Sequence, residues 1–427
     1  MALFIKNIEY LTMADGPQTA FGSIRIENEL ISAIGQIEPQ ASDEIIDGKH
    51  LLAMPGLVNS HNHAAMTLLR SYADNLPLME WLNNKIFPAE ARLSAEDIYI
   101  GNLLAHLEMI KGGTTCYADM YFNQEQAVRA CEQSGMRASL SLGTADNLNN
   151  FKEKLSDSLR FCENYNNSAS GLVSVMLGPH APYTCSQAYL RGISELALEK
   201  DLPIHIHIAE TQNEQNIIQQ QTGMKVIPYL NSLGMFEAKV LAAHMVYVSA
   251  EDIELLLGKK VGASICTQSE MKLASGIAPV PAYLNAGITV GLGTDGASSN
   301  NDLDMWEEMR TTALLHKVER LNSTVITPYE TLSMATSGSA RCLFLDQQIG
   351  TLKAGKKADI ILLNTLQPHF YPRNDMLSQL VYCAHASDVE TVIINGKIVM
   401  KNRQCLTLDE EKILFAAEHC AKKILTR

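Results

Sequence analysis

Eight times between residues 57 and 293 the chain sets down a short apolar run and follows it with a stretch that reads as an amphipathic helix. The runs fall at residues 57–59, 114–118, 137–142, 172–177, 203–208, 239–243, 262–266 and 288–293. Apolar runs alternating with helical stretches predict βα units around a parallel sheet. Eight such units in roughly 290 residues predict a (β/α)8 TIM barrel, whose chemistry sits at the C-terminal ends of its strands.

The two ends of the chain have a different texture. Residues 3–12 and 22–34, with a turn at Glu27, Asn28 and Glu29, read as short strands. The same texture returns at 358–363 and 389–400, the latter split by Asn395 and Gly396, a strong hairpin signal. Both termini are therefore expected to build one small β-sandwich, residues 1–54 joining 350–427, around a barrel domain of residues 55–349. Residues 409–425 read as a surface helix closing the fold.

Composition narrows the partners. A net charge of −13 and a pI near 5.4 would repel a phosphate backbone, so a small molecule is expected as ligand and nucleic acid is not. Nine cysteines without a C-x-x-C pair are a poor disulfide framework and read as reduced thiols in a cytoplasmic protein. No secretory leader is evident, and no 18 apolar residues run uninterrupted, so no membrane partner is expected. Self-association is left open.

The chemistry-bearing residues cluster at the ends of the runs. His61 and His63 follow the first, and residues at i and i+2 of an extended segment point to one side, where two imidazoles can chelate one metal. Residues 203–208 alternate strictly, placing Ile204, Ile206 and Ile208 on one face and His205 and His207 on the other. His207, nearer the strand's end, reads as a ligand. His205 stays open between a ligand and a core histidine satisfied by a neighbour. The run at 288–293 ends in Asp295, a carboxylate that alone could equally cap a turn. Three histidines and one aspartate with a place left for water suit catalytic zinc, one ion per chain. Two phosphate-loop look-alikes, residues 291–296 and 350–357, lack the helix that such loops must open.

The strings P-G-L-V-N-S-H-N-H at 55–63, H-x-H-x-x-E at 205–210, Ala243-His244 and G-T-D-G at 293–296 resemble the amidohydrolase superfamily. More narrowly, A-A-M-T-L-L-R at 64–70, L-M-E-W-L at 78–82, D-M-Y at 119–121, G-P-H-A-P-Y at 178–183, S-G-I-A-P at 275–279 and S-S-N-N at 298–301 resemble the methylthioadenosine/S-adenosylhomocysteine deaminases. That resemblance implies His61, His63, His207 and Asp295 as zinc ligands and Glu210 as proton shuttle to a purine ring. It places His244 beside the activated water, Glu90 on the ribose hydroxyls, His180 on the purine, and Trp81 along the sugar side.

Two departures stand out. The segment that usually reads H-N-P-x-S-N is here Ile265-Cys266-Thr267-Gln268-Ser269-Glu270. Members that hold a homocysteine carboxylate usually carry arginines after the third strand, whereas residues 138–159 contain none and offer only Lys152 and Lys154. The resemblance thus implies hydrolytic deamination at C6 of an adenosine-type nucleoside, with 5'-methylthioadenosine ahead of adenosine and S-adenosylhomocysteine. Leu140 and Leu142 are expected to wall the 5'-substituent. The same metal site would also serve guanine or pterin deamination, triazine dechlorination or cyclic-amide hydrolysis, and Glu90 discriminates among them because a bare heterocycle gives a ribose-binding carboxylate no role.

Overall fold

The computed structural model describes residues 2–14, 16–146 and 150–426. Its centre is a parallel sheet of eight strands, each hydrogen-bonded to the next in chain order. The strands are β6 (Leu57–Asn62), β7 (Thr114–Tyr121), β8 (Arg137–Thr144), β9 (Val173–Pro179), β10 (Ile204–Ile208), β11 (Val240–His244), β12 (Val261–Ile265) and β13 (Thr289–Leu292). All eight expected runs are strands, with helices in the intervals, so the chain is a (β/α)8 barrel. Ile204, Ile206 and Ile208 are fully buried in the apolar layer beneath the helices, which leaves His205 and His207 for the barrel interior.

Side chains and close backbone packing join the last strand to the first. Ser60 donates to the Leu292 carbonyl at 2.9 Å, Asn59 Nδ2 donates to Thr294 Oγ1 at 2.7 Å, and the Asp295 amide donates to the His61 carbonyl at 3.0 Å. Gly293 makes this approach possible, since a Cβ there would lie 2.7 Å from the His61 nitrogen. The glycine-rich string that mimics a dinucleotide loop therefore has a packing cause.

A second, nine-stranded sheet draws on both termini. Its N-terminal strands are β1 (Leu3–Leu11), β2 (Thr19–Glu27), β3 (Leu30–Gly35), β4 (Glu44–Asp47) and β5 (Leu51–Pro55). Its C-terminal strands are β14 (Ile360–Asn364), β15 (Val389–Ile394), β16 (Lys397–Lys401) and β17 (Gln404–Cys405). The two sets meet where β5 pairs antiparallel with β14, Leu52 opposite Leu363. The turns at Asn28 and at Asn395-Gly396 fall where the sequence places them, both asparagines at positive φ. The final helix is Glu410–Thr426. All nine cysteines are free thiols. Among the described residues no helix is long and apolar enough to cross a membrane.

Candidate active site

The C-terminal tips of the strands carry most of the predicted site residues. His61 is the penultimate residue of β6 with His63 just beyond the strand, His207 lies on β10, His244 ends β11, and Glu210 and Asp295 follow β10 and β13 within three residues. At several tips the chain turns sharply: Ala209, His244, Met245 and Asp295 all have positive φ, between 51° and 72°. Non-glycine residues adopt this conformation at a cost and keep it only where the surroundings over-determine it, as they do at functional sites.

Each metal-type histidine is anchored through Nδ1. His63 Nδ1 donates to the Met120 carbonyl at 2.6 Å, and His207 Nδ1 to the His180 carbonyl at 2.7 Å. A carbonyl can only accept, so both rings carry their proton on Nδ1 and present an Nε2 lone pair. His61 Nδ1 meets His205 Nε2 at 2.8 Å, and His205 Nδ1 meets Ser141 Oγ at 3.1 Å. His205 is thus satisfied by neighbours on both nitrogens and steadies His61, which settles the question the sequence leaves open.

The three Nε2 atoms and Asp295 converge on one point. His63 and His207 Nε2 are 3.3 Å apart, and Asp295 Oδ1 lies 3.3 Å from His63 Nε2 and 3.6 Å from His61 Nε2. His61 Nε2 is buried and has no hydrogen-bond partner. Burial pushes the His61 pKa down to about 3 and that of His207 well below its usual value, so both rings stay neutral. Three ring nitrogens converging beside a carboxylate, one of them without a hydrogen-bond partner, are an arrangement that suits a bound cation. The donor set, three nitrogens and one oxygen, fits zinc. Burial alone would raise Asp295, but His61, His63 and His244 hold it well below the usual carboxylate range. Its Oδ2 accepts from Ser269 at 2.6 Å and Ser299 at 2.8 Å, its Oδ1 from the Gly296 amide at 2.7 Å. Ser269 belongs to the departing segment at 265–270, which therefore does serve the site.

Glu210 is positioned by a carboxylate the sequence reading passed over. Thr211 caps helix Gln212–Thr222 by accepting from the Glu214 amide at 3.2 Å. The Glu214 side chain then reaches back to the amides of Ala209 (3.0 Å) and Glu210 (2.9 Å). The T-x-x-E spacing after Glu210 is the readable signal for this, a capping box displaced by one and two residues. Burial raises the Glu210 pKa, with Asp295 and Glu270 adding to the effect and His244 opposing it. Burial would lower His244, but Glu210, Glu270 and Asp295 together lift it to about 10. Its Nδ1 lies 3.4 Å from Glu270 Oε1.

A cavity of about 320 Å³, open to solvent, lies over these groups. His63, His180, His207, Glu210, His244 and Asp295 form its floor, and Trp81, Phe87, Glu90, Phe122, Tyr183 and Leu273 are among its walls. Glu90 accepts from the Tyr121 hydroxyl at 2.6 Å, and burial raises its pKa against that bond. Trp81 donates to the Ala73 carbonyl at 2.9 Å. The expected wall from Leu140 and Leu142 is not there. Leu140 is fully buried in the core and Leu142 lines an adjoining cleft, while Gly143, Thr144 and Ala145, at and just past the end of β8, line the cavity. Lys154 and Arg160 line that adjoining cleft, and among the described residues no lysine or arginine lines the main cavity. Asn147, Leu148 and Asn149, inside the arginine-free stretch, lie outside the described residues.

A barrel whose strand tips aim imidazoles and a carboxylate at one point, beside a buried acid, defines a metal-dependent hydrolase. The chain belongs to the amidohydrolase family, whose sequence profile matches residues 52–399, and within it to the methylthioadenosine/S-adenosylhomocysteine deaminases. It is 48% identical over 434 residues to a 5-methylthioadenosine/S-adenosylhomocysteine deaminase of Pelotomaculum thermopropionicum, covering 100% of this chain and 99% of the relative. Among solved structures, an adenosine deaminase of Xanthomonas campestris with bound zinc superposes with a TM-score of 0.94 at 32% identity, over 100% of this chain and 99% of that one. An atrazine chlorohydrolase of Arthrobacter aurescens has the same fold, with a TM-score of 0.91 at 24% identity over 98% of this chain and 100% of that one. That likeness speaks to the fold alone.

Proposed function

We propose that the chain hydrolyses the 6-amino group of adenosine-type nucleosides, with 5'-methylthioadenosine preferred, releasing ammonia and the inosine analogue. His61, His63, His207 and Asp295 would hold zinc, which when bound lowers the pKa of a coordinated water to ~7 and so makes it a nucleophile near neutrality. Asp295, kept ionised by its histidine neighbours, takes the proton of the water that adds at C6. Glu210, whose raised pKa favours the protonated form, delivers a proton to the ring nitrogen beside C6 and relays the next to the leaving amine. His180 contacts the purine. Trp81 walls the sugar side, and Glu90, held by Tyr121, accepts from the ribose hydroxyls.

The observation that carries this reading is the pairing of the converging Nε2 atoms and Asp295 with a partly buried Glu90 in one cavity. A triazine or a free base needs no ribose acceptor. The preference within nucleosides rests on a lining in which no described residue is a lysine or arginine. A homocysteine carboxylate entering such a cavity would shed water without a cationic partner, whereas a thioether methyl gains ~0.8 kcal/mol per buried carbon. Ammonia release with zinc-loaded protein should therefore give a kcat/KM for methylthioadenosine at least ~10-fold above that for S-adenosylhomocysteine. Glu90→Ala should weaken nucleosides by about 1.5–3 kcal/mol and leave adenine base nearly unchanged. Equal loss for nucleoside and base would remove the ribose role, and a preference for S-adenosylhomocysteine would remove the substrate assignment.

A further inference from the structure

We infer that Glu270 is a positioning residue for the deamination proposed above, holding the His244 ring in one orientation through its Nδ1–H, so that Nε2 is the nitrogen His244 turns to substrate. The reaction it serves rests on that proposal, while the geometry stands without it.

Glu270 Oε1 lies 3.4 Å from His244 Nδ1 and also accepts from the Cys266 amide at 2.9 Å. Both side chains are nearly inaccessible, 2% for His244 and 3% for Glu270. A carboxylate that deep must be compensated by hydrogen bonds, and these two are the ones that meet Oε1. Its own position is fixed twice more by the backbone, since the Ser275 amide donates to the Glu270 carbonyl at 2.9 Å and the Glu270 amide to the Cys266 carbonyl at 2.9 Å. The next residue after His244 is fixed as well, the Tyr283 hydroxyl donating to the Met245 carbonyl at 2.5 Å.

His244 lines the cavity and Glu270 does not, so Glu270 reaches substrate only through the ring. Oε1 already accepts from the Cys266 amide, so it serves His244 Nδ1–H as acceptor as well and turns the ring's other nitrogen to the pocket. A carboxylate on one imidazole nitrogen is also a recurrent way to fix tautomer and orientation during acid–base chemistry. Cys266 Sγ lies close to the same pair, but burial and the surrounding carboxylates push its pKa far up, so it stands by as a thiol. The unusual Glu270 of the 265–270 segment thereby acquires a role.

The test uses the zinc-loaded full chain. Glu270→Ala should lower kcat for methylthioadenosine by ~10²-fold with KM within about threefold, whereas Glu270→Gln, whose oxygen is still placed by the Cys266 amide, should recover to within ~10-fold of the parent. In a His244→Asn background the Glu270→Ala change should cost almost nothing further, because the two act as a unit. Nitrogen NMR of labelled histidines should show the Nδ1-protonated His244 of the parent lost in Glu270→Ala and kept in Glu270→Gln. Multiplying losses in the double variant, a KM effect with kcat intact, or an unchanged His244 signal in Glu270→Ala would each overturn the inference. If the parent releases no ammonia from any nucleoside, the proposed reaction fails, and the nitrogen signals alone decide the positioning of His244.

Discussion

Three histidine Nε2 lone pairs meet because three different acceptors hold the opposite nitrogens, and the acceptors differ in strength of commitment. Met120 and His180 offer backbone carbonyls, fixed with the barrel itself. His61 depends instead on His205 and Ser141, two side chains in series. His205→Asn should therefore leave a folded barrel whose zinc affinity, read by competition with a chelator, falls about 10–100-fold. Glu210→Gln keeps shape and loses the proton, so zinc content should match the parent while turnover drops at least ~10²-fold. Parent-like turnover in that variant would assign the shuttle elsewhere. His61, His63 and His207 were legible in sequence because a period of two on an extended segment fixes which side chains share a face. Glu270 was not, since it lies in the helix Thr267–Lys272 while its partner His244 ends β11, 26 residues earlier, and the two pair only across the barrel rim.

At the scale of elements, β6 and β13 come together through residues without bulk. Gly293→Ala puts a Cβ 2.7 Å from the His61 nitrogen, against backbone that cannot yield without moving a metal-facing residue. It should cost about 1–3 kcal/mol in thermal unfolding, and zinc affinity should fall in the same variant. A normal affinity with lowered stability would show that the seam and the site are mechanically independent. The eight barrel strands were legible because each apolar run is buried on both faces and flanked by helix. β5 was not: its five residues, Leu51–Pro55, are all buried and do not alternate, so nothing separates them from the barrel run that begins two residues later. The wall near Leu142 escaped for a related reason: the apolar run ends at Leu142, whereas β8 continues to Thr144, so the cavity meets the residues beyond it.

For the whole molecule, barrel and terminal sheet are bolted by one buried ion pair. Arg137 at the start of β8 gives Nε to Asp359 Oδ2 at 2.6 Å and Nη2 to Oδ1 at 3.1 Å, and both side chains are 3% exposed or less. Nη2 also donates to Asn395 Oδ1 at 3.1 Å, in the turn between β15 and β16. Removing one partner strands the other charge, so Asp359→Ala should cost about 3–5 kcal/mol by thermal or denaturant unfolding. A loss under ~1 kcal/mol would mean that water reaches Arg137. The pairing of β5 with β14 has a further consequence, in time. Leu52 waits for Leu363, about 300 residues away, and at ~5–20 residues per second on the ribosome that is roughly 15–60 s. Throughout that interval β5 presents an unpaired edge, so the nascent N-terminal strands are a natural client for a chaperone until roughly the last sixth of the polypeptide emerges to cover them.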